Sequence, residues 1–124
     1  MSNPFDVTRT ATPRTLTVAG GWAVAYTATT ARGLVTVTAW MTDPLGATTG
    51  TLVLPTLRRD EGGKRTFTAK AGTRMARFVC GTASTLRRST VPAATYSSVE
   101  AYVTHCATDA VYSLRHQSAH SVGR

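Results

Sequence analysis

The sequence predicts an α+β fold: an antiparallel β-sheet of about six strands, then a C-terminal α-helix that packs across an intertwined dimer. Three observations carry this. Roughly one residue in five is threonine and valine is frequent, which suits pleated, half-buried chain. Apolar and polar residues alternate through much of the first 91 positions. Near residue 97 the apolar spacing changes to that of a helix. At 124 residues the chain suits a single domain, read as an N-terminal arm (1–13), a sheet (14–91), a helix (97–117) and a tail (118–124).

"RTLTVAG" (14–20) alternates like a strand, and Gly20-Gly21 supplies a tight turn. "WAVAYTAT" (22–29) places Trp22, Val24 and Tyr26 on one side. "GLVTVTAWM" (33–41) is the clearest strand. Val35, Val37, Ala39 and Met41 face one way, and Leu34, Thr36, Thr38 and Trp40 face the other. "TDPLGATTG" (42–50) reads as a loop, and "TLVLPTL" (51–57) as a strand whose Pro55 implies an edge or a bulge. "RRDEGG" (58–63) reads as a charged turn before the strands "KRTFTAK" (64–70) and "TRMARFVCGT" (73–82). "ASTLRRSTV" (83–91) fits a strand or a loop equally well.

The last element sets Val99, Tyr102, Val103, Cys106, Ala110 and Leu114 at helical spacing. Ser97 and Glu100 match the capping box that opens a helix. One helix about 28 Å long cannot cover a whole sheet face at about 1.5 Å per residue. A second copy solves this, with sheets joined edge to edge and each helix packing across onto its partner. The six apolar helix residues are therefore the expected dimer interface.

A hydrophobic share of 42% with only 16% charged residues excludes a disordered chain. The uncharged stretch 33–42 is about half of what a membrane-spanning helix needs. The start, "MSNPFDVTRT", lacks the layout of a secretory signal, so a soluble chain acting where it is made is expected. Cys80 and Cys106 are too few for a disulfide scaffold or a zinc ribbon.

Charge is the strongest compositional signal: +8 at pH 7, with a pI near 10.5. Between Gly62 and Val99 stand seven cations, Lys64, Arg65, Lys70, Arg74, Arg77, Arg87 and Arg88, and no acid. Such a field attracts phosphates without regard to sequence, and threonines can add hydrogen bonds to sugars and unpaired bases. The candidate RNA-binding set is Thr36, Thr38, Arg58, Lys64, Thr66, Thr68, Lys70, Arg74, Arg77, Arg87 and Arg88. Trp22, Tyr26, Trp40 and Phe67 fall on strands, where base stacking is open to them, although core packing suits most of them better.

Patterns for catalysis are thin. His116 and His120 stand at i, i+4 without a third ligand close in sequence. His105 and Cys106 are helix neighbours and point about 100° apart. Phosphate-loop, dinucleotide and nucleophile-elbow motifs are missing from the sequence. No enzyme, metal, cofactor or small-molecule substrate is expected.

The strand run "RTLTVAGGWAVAYTAT…RGLVTVTAW…GTLVLPTL…KRTFTAK…RMARFVCGT" with the terminal "SSVEAYVTHCATDAVYSLRH" resembles the coat proteins of single-stranded RNA bacteriophages. The resemblance lies in element order, length and charge over nearly the whole chain. It implies a homodimer that assembles into an icosahedral shell, made in the bacterial cytoplasm and located in the virion. It also implies an inner sheet face that binds genomic RNA, including a hairpin serving as packaging signal and translational operator. By role, Thr36, Thr38, Lys64, Thr66, Thr68 and Lys70 would look toward RNA. Loops 42–50 and 71–73 would meet neighbours at the symmetry axes. The competing readings are a DNA-phage tail, head-completion or decoration protein, and a small cellular nucleic-acid-binding domain.

Overall fold

The computed structural model describes residues 13–60 and 66–122, with side chains through Leu114. The N-terminal arm up to residue 12, Lys64 and the side chains of His116 and His120 thus lie outside the described residues. An antiparallel sheet is followed by one helix. The strands are β1 (Arg14–Thr17), β2 (Ala23–Ala31), β3 (Leu34–Thr42), β4 (Thr48–Val53), β5 (Leu57–Arg59), β6 (Phe67–Ala69), β7 (Gly72–Cys80), β8 (Ala83–Val91) and β9 (Ala94–Tyr96). A 3-10 turn at Ala19–Gly21 separates β1 from β2, and the helix is α1 (Val99–Val122). No described helix is long and apolar enough to cross a membrane.

Among the described residues the sheet has nine strands, not about six. The order is β8-β7-β4-β3-β5-β6-β9, with β2 along the other edge of β3 and β1 outside β2. The larger count comes from interruptions. Pro55 lacks an N–H for the ladder, so β4 stops at Val53 and β5 resumes at Leu57 on the same edge of β3. Breaks at Lys70-Ala71 and Pro92-Ala93 divide β6 from β7 and β8 from β9 in the same way. Arg58 and Arg59 belong to β5 rather than to a turn. The undecided segment 83–91 is a full strand, paired residue for residue with β7. The expected loop 42–50 is shorter, because Asp43 closes it. Its carboxylate accepts hydrogen bonds from the N–H groups of Leu45 (3.1 Å), Ala47 (2.8 Å) and Thr48 (3.1 Å), and β4 starts at Thr48.

One sheet face is dry. Val24, Tyr26, Val35, Val37, Ala39, Met41, Leu52, Leu57, Ala69, Ala76 and Phe78 are buried there under α1. Fully burying one such Val, Leu or Met stabilises the fold by roughly 1.5–3 kcal/mol. Gly50 sits between Met41 and Phe78 in the paired register, and the Phe78 ring fills the space its side chain would take. Trp22 meets Phe78 edge-on, with ring centroids 5.6 Å apart.

The helix starts one residue later than the capping-box reading. Ser98 Oγ, not Ser97, accepts the Ala101 N–H at 3.0 Å, which puts Glu100 inside the first turn. The helix runs past 117 to Val122, since no glycine or proline stops it before Gly123. Tyr102, Val103, Cys106 and Ala110 are buried, and Val99 and Leu114 pack against the same core. These six residues, expected to cross onto a partner, cover the sheet of their own chain instead. A hydrogen bond ties the layers together where the strand is broken: the Tyr102 hydroxyl donates to the free carbonyl of Pro55 at 2.6 Å.

Candidate nucleic-acid interface

The face away from α1 carries no layer among the described residues. Cross-strand partners share a face, so the register maps it directly. One row reads Ala25, Trp40, Thr51, Arg77, Leu86 across β2, β3, β4, β7 and β8. The next reads Thr27, Thr38, Val53, Met75, Arg88. A third, toward the other end of β3, reads Ala31, Leu34, Arg58, Thr68, Thr95. Threonines, arginines and exposed apolar groups therefore alternate over one broad surface.

The expected RNA-binding residues divide between the two faces. Thr36, Thr38, Arg58, Thr68, Arg77 and Arg88 lie on the open face. Lys70 is exposed at the break between β6 and β7. Arg74 is corrected outright: it is only 4% exposed, on the covered face. Its guanidinium donates to the Cys106 carbonyl at 3.2 Å and stands 3.6 Å from Asp109 Oδ2. Arg87 pairs with Ala76, so it too lies on the helix side, half-buried. Even and odd positions of a strand face opposite ways, and a run of cations has to divide between them.

Thr66 and Thr68 are already engaged. Both hydroxyls donate to Asp60 Oδ2, at 2.7 and 3.1 Å, so this carboxylate sits at the margin of the face. Thr68 Oγ1 also lies 3.5 Å from Thr95 Oγ1. Exposed threonines of this face instead include Thr29 on β2, Thr36, Thr38 and Thr42 on β3, and Thr51 on β4.

The sequence reading missed Arg32 and Arg59. The register Ala31↔Leu34 leaves Arg32 and Gly33 as a two-residue hairpin turn, both with positive φ (54° and 76°). Arg32, Gly33, Leu34, Arg58, Arg59 and Asp60 line an open pocket of about 440 Å³ at this end of the face. Three arginines meet one carboxylate there, and Arg59 is fixed by its N–H to the Gly33 carbonyl at 2.8 Å. A non-glycine residue in the left-handed region was the available signal, but it is visible only in backbone geometry.

Among the aromatics raised for stacking, Trp22 and Tyr26 are core residues and Phe67 is half-buried. Trp40 is 42% exposed on the open face.

A polar cluster lies at the opposite face, where α1 starts. The Tyr96 hydroxyl and His105 Nδ1 share a 2.7 Å hydrogen bond, and His105 Nε2 stands 3.4 Å from Asp109. Burial pushes the Tyr102 phenol far up, and raises that of Tyr96 as well. Burial likewise lifts the Cys106 thiol, and the Arg74 charge offsets part of the rise. A raised thiol is a poor nucleophile, and His105 faces Tyr96 rather than Cys106. Among the described residues no group of His, Cys, Asp and Glu is arranged to hold a metal ion.

Compared with known protein families, curated proteins and solved structures, the chain matches none.

Proposed function

We propose that this chain is a coat protein of a single-stranded RNA bacteriophage, a structural and non-catalytic protein that dimerises, assembles into a closed shell and holds genomic RNA. The observation that carries the reading is the open sheet face. Arg58, Arg77 and Arg88 stand there among threonines, on the side away from α1, in a chain of charge +8. Lysine and arginine on such a face give phosphate contacts that weaken steeply with salt. A hairpin bound on the same surface would make the protein a translational repressor of its own message.

Assembly is proposed to use the outer edge of β8 and β9, which no described strand covers. Two such edges pair antiparallel about a two-fold axis and extend one sheet into the next. The stripe from Val99 to Leu114 is satisfied within one chain, so the intertwining falls to the outward flank of α1, which carries the exposed Tyr112.

One observation favours a second reading. Leu34, Trp40, Val53 and Leu86 leave apolar area on the same face, as a tail, head-completion or decoration protein of a DNA phage would offer to a protein neighbour. Expression of the chain alone, followed by size exclusion with absorbance at 260 and 280 nm, separates the readings. A megadalton particle carrying host RNA supports the coat protein. A ring or particle free of nucleic acid supports the second reading. A small RNA-bound species points to a cellular nucleic-acid-binding domain.

A further inference from the structure

We infer that the exposed indole of Trp40 is a stacking platform for an unpaired base of single-stranded RNA, with the strand's phosphates running over Arg77 and Arg88. The inference rests on the open face being an RNA surface and specifies which form of RNA it takes.

Trp40 stands in the middle of β3, flanked across the ladder by Ala25 and Thr51 and along its own strand by Thr38 and Thr42. All four neighbours are small, and 42% of the residue stays open among the described residues. The covered face treats its aromatics differently: Trp22, Tyr26 and Phe78 are at least nine-tenths buried. A large aromatic surface left bare in water is unfavourable, and here it lies on the sheet face that no described element covers.

Charge selects the occupant. Arg77 lies in the Trp40 row two strands away, about 10 Å at the usual strand spacing. Arg88 stands diagonally across from it on β8. Neither row contains an acidic residue. The two described carboxylates nearest in sequence to the strands of this face are already committed, Asp43 to three backbone N–H groups and Asp60 to Thr66 and Thr68. A cationic track beside a bare π-face fits a polyanion with flat bases better than an apolar protein surface, which would leave the arginines without partners.

Pairing state follows from geometry. Bases in an A-form duplex are stacked on one another and cannot offer a face to a flat sheet, whereas loop and single-strand bases can splay onto it.

The test uses the full chain with a 12-nucleotide single-stranded RNA and a 12-base-pair RNA duplex. Tryptophan emission reports directly, because Trp22 is buried and only Trp40 is open to a quencher. The expected result is quenching by the single strand and none by the duplex. Trp40→Leu keeps an apolar strand residue without a π-face and should weaken single-strand binding on the order of tenfold. Trp40→Phe should stay close to the parent, and both variants should keep its salt slope, since no phosphate contact is lost. Parent-like binding by Trp40→Leu, with Arg77→Ala still weakened, would overturn the stacking site and leave the RNA face standing. No binding of either RNA at low salt would overturn both. A change in self-association on Trp40→Leu, with RNA affinity unmoved, would assign the ring to a protein neighbour and also overturn the inference.

Discussion

Arg74 and Arg77 stand three positions apart on β7, and this odd spacing puts them on opposite faces of the sheet. Arg74 reaches under α1 to the Cys106 carbonyl and Asp109, while Arg77 is exposed in the row of Trp40. Two changes of equal charge should therefore act in opposite ways. Arg77→Ala is expected to leave stability within about 0.5 kcal/mol and to reduce the salt slope of RNA binding by about one. Arg74→Met is expected to cost about 2 kcal/mol, mostly through its charged hydrogen bond, because Asp109 is half-exposed and its ion pair is screened. RNA affinity should change less than twofold in that variant. Thermal melts and filter binding over a salt series check both.

The same pair marks what the sequence could convey. Alternation in 22–42 was strong enough to separate Val35, Val37, Ala39 and Met41 from Thr36, Thr38 and Trp40, and burial then makes the first set the core and leaves Trp40 on the open face. The helix was legible because its apolar stripe is long, although Ser98 and not Ser97 caps it. The strand breaks were harder to read. Pro55 signals an interruption, but only tertiary structure decides that β5 continues along β3 and that Tyr102 takes the freed carbonyl. The stripe was read as apolar and as facing a partner, and it packs on the sheet of its own chain, because one chain's periodicity does not say whose sheet it meets. Arg32 and Arg59 escaped notice because the pocket joins a hairpin turn to the end of β5, two segments far apart in sequence.

Gly50 is constrained by close approach. A Cβ built there lies 2.9 Å from two atoms of the Phe78 ring and 3.5 Å from the Met41 Cβ. The ring cannot withdraw easily, since Trp22 holds its edge. Gly50→Ala is expected to destabilise the chain by about 2 kcal/mol. The double variant Gly50→Ala with Phe78→Leu should recover part of that loss relative to the sum of the single changes. Urea unfolding of the four proteins measures the coupling.

The two thiols should differ sharply. Cys80 is exposed at the end of β7 and Cys106 is buried, so a thiol reagent at pH 8 is expected to label one site in the native chain and both in denaturant. Burial raises the Cys106 thiol above its ordinary 9.0 and the Tyr96 and Tyr102 phenols above 10.0. Above those values the unfolded chain loses protons that the native chain retains. Stability is therefore full below about pH 9 and falls as pH rises beyond it. Cys106→Ala should lower stability at pH 8 yet flatten the decline between pH 9 and 10. Denaturant midpoints across that range measure the slope, and an unchanged slope would remove Cys106 as its source.

Arg32 places stability and binding in opposition. Its φ of 54° lies in the left-handed region, where a residue with a long side chain pays roughly 1 kcal/mol that asparagine largely avoids. Asn-Gly is the favoured pair for a two-residue turn of this kind, and Arg32-Gly33 departs from it at the first position only. Arg32→Asn should thus raise the stability of the β2–β3 hairpin by about 0.5–1 kcal/mol. It also removes one of three arginines from the pocket at the end of the open face. If that pocket takes an RNA phosphate, the stabilised variant should bind RNA severalfold more weakly, with a salt slope lower by about one. A variant that gains stability and keeps parent affinity would exclude the pocket from the RNA surface, leaving the strained arginine without a functional reason.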